Sequence, residues 1–179
     1  MDLTKITLPT QILERRSLLE LYATFFTHAD LFLNISSFET PRDRMVAMVG
    51  WYMSAYHVSL KPKRPKKPYN PVLGEIFRCF YRVDDEAATT SPRASRDGPL
   101  PWAKSSDLVF LAEQVSHQPP ISAFYAECPT RQISCQAYVH TKTQFRGAYA
   151  VVQLVGKGKV MLHSHNEEFH CNFPTVYIR

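Results

Sequence analysis

Glu113-Gln114-Val115-Ser116-His117-Gln118-Pro119-Pro120-Ile121-Ser122-Ala123-Phe124-Tyr125 sets a polar tip between two strand-like runs. Pro119 and Pro120 lack backbone donors, and each drives its predecessor toward an extended conformation. His117 and Gln118 therefore sit at a rigid break rather than within a continuous ladder. Stiff backbone fixes side-chain direction, which suits a ligand site.

Working outward, the whole chain beyond Glu75 follows a period of two. Phe77, Cys79, Tyr81 and Val83 alternate with Ile76, Arg78, Phe80 and Arg82, and β-branched and aromatic residues dominate. The segment from Asp84 to Pro101, rich in Asp, Ser, Thr, Pro and Gly, reads as a mobile loop. Further strands are predicted at 107–115, 121–128, 132–140, 145–155, 158–163 and 167–173. Short connections at Pro129-Thr130-Arg131 and Gly156-Lys157-Gly158 favour antiparallel neighbours over crossovers.

Ahead of Glu75 the period is helical. Ser17 and Glu20 form a capping box, and Leu18, Leu19, Tyr22, Phe25 and Phe26 follow at helical spacing, predicting a helix over 18–27. Thr40 before Pro41 opens a second helix running to about Ser59. Its apolar stripe is read as Met45, Val49, Tyr52 and Tyr56, widened by Val46 and Met53. Leu3 to Ile12, apolar and β-branched but broken by Pro9, reads as an extended or weakly helical arm. The class is α+β, mainly β: an arm at 1–12, a helical part at 17–59, and antiparallel strands over 75–179. No internal repeat or second domain is visible.

At 179 residues, with 45% hydrophobic and 21% charged, the chain is expected to fold as one unit with a real core. Its apolar runs fall short of the roughly 18 residues of a spanning helix, and Met1-Asp2-Leu3-Thr4-Lys5 does not read as a secretory signal, so a cytosolic protein is predicted. Cys79, Cys128, Cys135 and Cys171 show no C-x-x-C pair or regular framework, which points to reduced thiols. Net charge is +5 and uneven: Lys61, Lys63, Arg64, Lys66 and Lys67 have no acid among them. This segment prefers anions, whether an anionic membrane surface or nucleic acid, or else it is a solvated loop. Pro62, Pro65, Pro68 and Pro71 recur every third residue, holding the cations on an extended segment instead of the helix that most basic nucleic-acid motifs use. Nucleic acid is accordingly not expected as a partner.

Lys67-Pro68-Tyr69-Asn70-Pro71 places an ammonium and an amide three residues apart on backbone stiffened by proline. Such a pair can grip a phosphorylated polyol or a phospholipid head group; the plainer reading is that the lysines solvate a loop and Asn70 satisfies its own turn. His117 donates from one ring nitrogen when neutral and from both when charged, while Gln118 supplies amide donors without gaining charge.

Lys66-Lys67-Pro68-Tyr69-Asn70-Pro71-Val72-Leu73-Gly74-Glu75 and the stretch from Glu113 to Tyr125 together resemble the signature of the oxysterol-binding protein family, whose members carry Glu-Gln-Val-Ser-His-His-Pro-Pro. Here Gln118 replaces the second histidine. The match extends to Leu13-Glu14-Arg15-Arg16-Ser17-Leu18-Leu19-Glu20 and Gly98-Pro99-Leu100-Pro101-Trp102. The resemblance implies an incomplete, curved antiparallel β-barrel with a hydrophobic tunnel, closed by an amino-terminal lid that would carry Leu3, Ile6, Leu8 and Ile12. It also implies one lipid carried at a time between membranes. Each methylene moved into water costs about 0.8 kcal/mol, so a chain of about fifteen needs about 12 kcal/mol of shelter, which an open groove does not supply.

By the same resemblance Lys67, Asn70 and His117 correspond to residues that hold the head group of phosphatidylinositol 4-phosphate, with Gln118 at the second phosphate contact. The implied ligands are a sterol or phospholipid at anionic membranes of the endoplasmic reticulum, Golgi or endosome. No cofactor, metal or enzymatic activity is implied. The family's lipid-binding domain is longer than this chain, which corresponds to its amino-terminal portion. Sheet edges that the remainder would pair are then open, and association follows. A half-domain of this kind is alternatively a module that binds anionic membranes through its basic segment without transporting lipid.

Two enzymatic readings compete. His163, His165, Glu167, Glu168, His170 and Cys171 lie close in sequence, but their spacing fits no zinc template. Ser116 and His117, as adjacent strand residues, point to opposite faces and do not readily form a nucleophile–base pair.

Overall fold

The computed structural model describes residues 13–59, 66–83, 100–147 and 149–178. The arm with Leu3, Ile6, Leu8 and Ile12, the basic residues Lys61, Lys63 and Arg64, and most of the Asp84–Pro101 loop lie outside the described residues.

Strand β1 (Leu13–Ser17) leads into helix α1 (Leu18–Ala23), a 3-10 turn at Thr24–Phe26, helix α2 (Ala29–Asn34), a second 3-10 turn at Ile35–Ser37 and helix α3 (Pro41–Ser59). Strands β2 (Lys67–Tyr69), β3 (Ile76–Tyr81), β4 (Leu108–Ser116), β5 (Ile121–Cys128), β6 (Ile133–Phe145), β7 (Ala150–Leu162), β8 (Glu167–Asn172) and β9 (Thr175–Ile178) follow. β1 and β2 pair in parallel, Leu13 opposite Lys67 and Ser17 opposite Tyr69. The remaining strands form one antiparallel sheet in the order β3-β4-β5-β6-β7-β8, with β9 also on β7. β8 and β9 lie along the same side of β7, β8 opposite Lys157–Leu162 and β9 opposite Ala150–Gln153. Pro174, with no amide to donate, marks the break between them. The sheet does not close, as expected of an incomplete barrel.

Both predicted helix starts carry their caps. The Glu20 amide donates to Ser17 Oγ at 3.4 Å, and the Asp43 amide donates to Thr40 Oγ1 at 3.1 Å. The first helix is shorter than predicted: it tightens to a 3-10 turn at Thr24, whose hydroxyl donates back to Leu21 O at 2.6 Å. Helix α2 and strands β1, β2 and β9 were not foreseen, being too short to establish a period.

Alternation along the strands sends Phe110, Ala112, Phe124, Ala126, Cys135 and Val160 to one face, where Leu19, Tyr22, Phe26, Phe32, Met48 and Trp51 of the helical part cover them. Phe26 sits at the centre, its ring centroid 5.2 Å from Phe32, 5.6 Å from Trp51 and 5.7 Å from Phe110. Each such buried ring or large aliphatic contributes roughly 1.5–3 kcal/mol of transfer free energy.

Two expectations are corrected. On α3 the buried residues are Arg44, Met48, Trp51 and Ala55; of the expected stripe Tyr52 is half-buried against the same core and Tyr56 against Phe25, while Met45, Val46, Val49 and Met53 are half exposed or more. The helix is apolar around most of its circumference, so its period could not choose a face; seating Trp51 on Phe26 and Phe32 did. Gly156-Lys157-Gly158 is not a turn but the middle of the continuous strand β7. A Cβ at Gly156 would lie 1.9 Å from Tyr138 O, and one at Gly158 would lie 2.6 Å from Cys171 Sγ. These glycines allow close approach of neighbouring strands. The turn between β6 and β7 falls earlier, where the Arg146 amide donates to Tyr149 O at 2.9 Å and Gly147 has φ 67°.

Candidate functional site

The proline-clamped tip is the corner of the β4–β5 hairpin: Ser116 pairs with Ile121, with an irregularity in the ladder between Gln114 and Ser116. The Gln118–Pro119 peptide is cis. Gln114, absent from the sequence-based candidates, holds the corner from inside. Fully buried, its amide accepts from Ser122 Oγ and donates to Ser116 O at 2.8 Å. Both ends of a buried amide are thereby satisfied. A Gln next to a predicted bend, inside an otherwise apolar alternation, was the signal available in the sequence.

The loop from Asn70 to Glu75 docks on this corner. The Gly74 amide donates to Gln114 O at 2.9 Å and the Gln114 amide to Glu75 O at 3.0 Å. Gly74 has φ 77°, a conformation glycine adopts without steric cost. The loop braces itself, since the Val72 amide donates to Glu75 Oε2 at 3.1 Å and the Glu75 amide to Val72 O at 3.0 Å. His117 completes the junction, its Nδ1 lying 3.2 Å from Pro71 O. Two motifs some forty residues apart in sequence are thus joined by main-chain and imidazole hydrogen bonds.

His117 and Gln118 are exposed on the hairpin side, and Asn70, beside the contacted Pro71, is exposed on the loop side. Lys67, also exposed, opens β2 and is placed by pairing with β1. That pairing sets Arg15 and Arg16, both exposed, on the strand beside Lys66 and Lys67. Sequence reasoning had confined the basic character to 61–67. Arg16 is partly neutralised by Glu14 at 3.5 Å.

A cavity of about 490 Å³ lies on the sheet face turned away from the helices, lined by Leu111, Glu113, Tyr125, Gln136, Lys157 and His170 among others. Most of the surface lining it is apolar, with Glu113, Lys157, Lys159 and His170 adding polar groups.

The His and Glu cluster near the carboxy terminus is engaged in holding the fold. His163 Nε2 is 2.9 Å from Ser134 Oγ, and His165 Nε2 donates to Ser36 O at 3.0 Å. Arg44 grips Glu167 with both arms, at 2.7 and 2.5 Å, and that guanidinium holds the Glu167 carboxyl below the usual range. Glu168 lies 2.9 Å from Lys159 Nζ and 2.7 Å from His170 Nε2; the Lys159 hydrogen bond is the main cause of its lowered pKa. Burial pushes the Cys171 thiol up. Among the described residues no group of three or more His, Cys, Asp or Glu is placed to hold a metal ion. Nor is any described helix long and apolar enough to cross a membrane. All four cysteines are free thiols.

Over residues 1–179 the sequence matches the family model described as Oxysterol-binding protein. Oxysterol-binding protein-related protein 9 of Homo sapiens is 49% identical over 179 residues, covering 100% of this chain and 24% of the relative. Oxysterol-binding protein-related protein 10 of Homo sapiens is 43% identical over 187 residues, again covering 100% of this chain and 24% of the relative. The chain spans about a quarter of the length of these relatives. Among solved structures, the Osh1 ORD domain in complex with ergosterol matches with a TM-score of 0.71 at 27% identity, over 95% of this chain and 35% of that one. The Osh3 ORD of Saccharomyces cerevisiae, in complex with PI(4)P, matches in fold with a TM-score of 0.74 at 23% identity, over 98% of this chain and 40% of that one. By the match along its whole length and these identities, the chain belongs to the oxysterol-binding protein family.

Proposed function

We propose that this chain forms the head-group-reading part of a lipid-transfer domain, one that exchanges a sterol or phosphatidylserine against phosphatidylinositol 4-phosphate where two membranes approach. The observation that carries the reading is the junction between His117 and Pro71, which sets the histidine beside the loop bearing Asn70. Family membership adds support, as do the Osh1 domain with ergosterol and, for the fold, the Osh3 domain with PI(4)P. In this reading Lys67 supplies a fixed charge, while Asn70 and Gln118 supply amide donors and His117 an imidazole donor. Desolvating Lys67 is costly without an anion and well matched with one, so the charged end of the lipid discriminates.

Extraction of labelled phosphatidylinositol 4-phosphate from liposomes tests the assignment. Lys67→Ala and His117→Ala lower extraction, and Gln118→His raises it, with circular dichroism unchanged. Unchanged extraction in all three variants refutes the head-group role. The open sheet and the ribbon of Arg15, Arg16, Lys66 and Lys67 favour a second reading, a module that binds anionic membrane without enclosing lipid. In flotation assays such a module moves with the liposomes but leaves no labelled lipid in the supernatant.

A further inference from the structure

A carbonyl oxygen only accepts, so the contact between His117 Nδ1 and Pro71 O, at 3.2 Å, requires the proton of the neutral ring to sit on Nδ1. The other nitrogen, Nε2, then carries a lone pair. An ionised phosphate oxygen also carries lone pairs, and the two repel. Only when Nε2 takes up a proton does the exposed edge of the ring become a donor, and then a charged one. Neighbouring Gln118 donates through its amide at any pH and binds no proton, so it cannot share this role. Resting on the head-group reading above, we propose that this chain captures a phosphate ester with the uptake of one proton, and that His117 Nε2 is the atom that receives it.

Charged and titratable groups among the described residues lie on several of the elements around the hairpin corner. Lys67 opens β2 three residues ahead of Asn70, with Lys66 just before it, Glu75 ends the docked loop with its carboxylate accepting from the Val72 amide, Glu113 lies on β4, and His140 on β6 is in register with Ile121. Phosphate binding beside this site favours the charged ring.

The test is isothermal titration calorimetry of the folded chain with two probes, dioctanoyl phosphatidylinositol 4-phosphate and inorganic phosphate, between about pH 5.5 and 8. Runs in buffers of differing ionisation enthalpy count the protons. Wild type is expected to take up close to one more proton than His117→Gln on the alkaline side, its affinity weakening by up to about tenfold per pH unit as pH rises. The probe's own titration is common to both proteins and cancels in the comparison. Histidine nitrogen chemical shifts of the ligand-free wild type should show the Nδ1–H form, and Gln118→His should add a second proton. Equal pH dependence in wild type and His117→Gln, or an Nε2–H ring, overturns the inference while leaving the head-group reading standing. Binding of neither probe at any pH overturns both. Linked binding of inorganic phosphate alone keeps the proton coupling and assigns it to free phosphate rather than lipid.

Discussion

A methyl group at position 156 would meet the Tyr138 carbonyl at 1.9 Å, whereas one at position 158 would meet the Cys171 sulfur at 2.6 Å. The first obstacle is backbone in a paired strand; the second is a side chain with a rotamer to spare. Gly156→Ala should therefore destabilise by about 2 kcal/mol or more, and Gly158→Ala by less, as read from urea midpoints. Equal effects would show that the strands part easily. Arg44 makes a different residue-scale prediction. The Glu167 carboxyl titrates below its ordinary range because of Arg44. The pair thus stabilises the fold fully above the usual glutamate range and loses that contribution as pH falls through the lowered folded value. In Arg44→Met the thermal midpoint at neutral pH should drop, and less of it should remain to be lost in acid. An unchanged acid limb would sink this account. Neither feature was legible in the sequence: Gly-Lys-Gly reads as a turn by composition, and nothing in the spacing of Arg44 and Glu167 announces a partnership across 123 residues.

At the scale of elements, the capping signals at Ser17 and Thr40 located both predicted helix starts, because a cap is a local hydrogen bond between residues three apart. The buried face of α3 was not local. Its apolar residues surround most of the helix, and the face chosen was the one whose indole and thioether fill the space beside Phe26 and Phe32. Trp51→Ala should cost about 3–5 kcal/mol and Met48→Ala about 2–5 kcal/mol in chemical unfolding. Val49→Lys and Met53→Lys should stay within about 0.5 kcal/mol, their side chains being already exposed. A penalty for Met53→Lys as large as that for Trp51→Ala would show that the exposed stripe is covered in solution.

Across the whole molecule, one face of the sheet is closed by helices and its ends are open. Among the described residues β3 has no strand on its outer side, nor do β8 and β9 beyond β7. Unpaired strand edges seek partners. Sedimentation velocity should show concentration-dependent association, reduced by Ile76→Lys on the exposed edge of β3; a monomer at all concentrations would mean that the edges are shielded. The sequence by itself determined the change from a helical first part to a sheet after Glu75, the two capped helix starts, the antiparallel preference, the stiff Pro-Pro corner and the family signature. Each of these is written in residues a few positions apart, where period, capping and proline sterics act. Tertiary structure alone decided which side of α3 is buried, how Arg15 and Arg16 come beside Lys67, and which nitrogen of His117 faces Pro71. Those outcomes depend on contacts between distant segments, and such contacts are selected by packing and hydrogen-bond satisfaction of the assembled chain rather than by any local period.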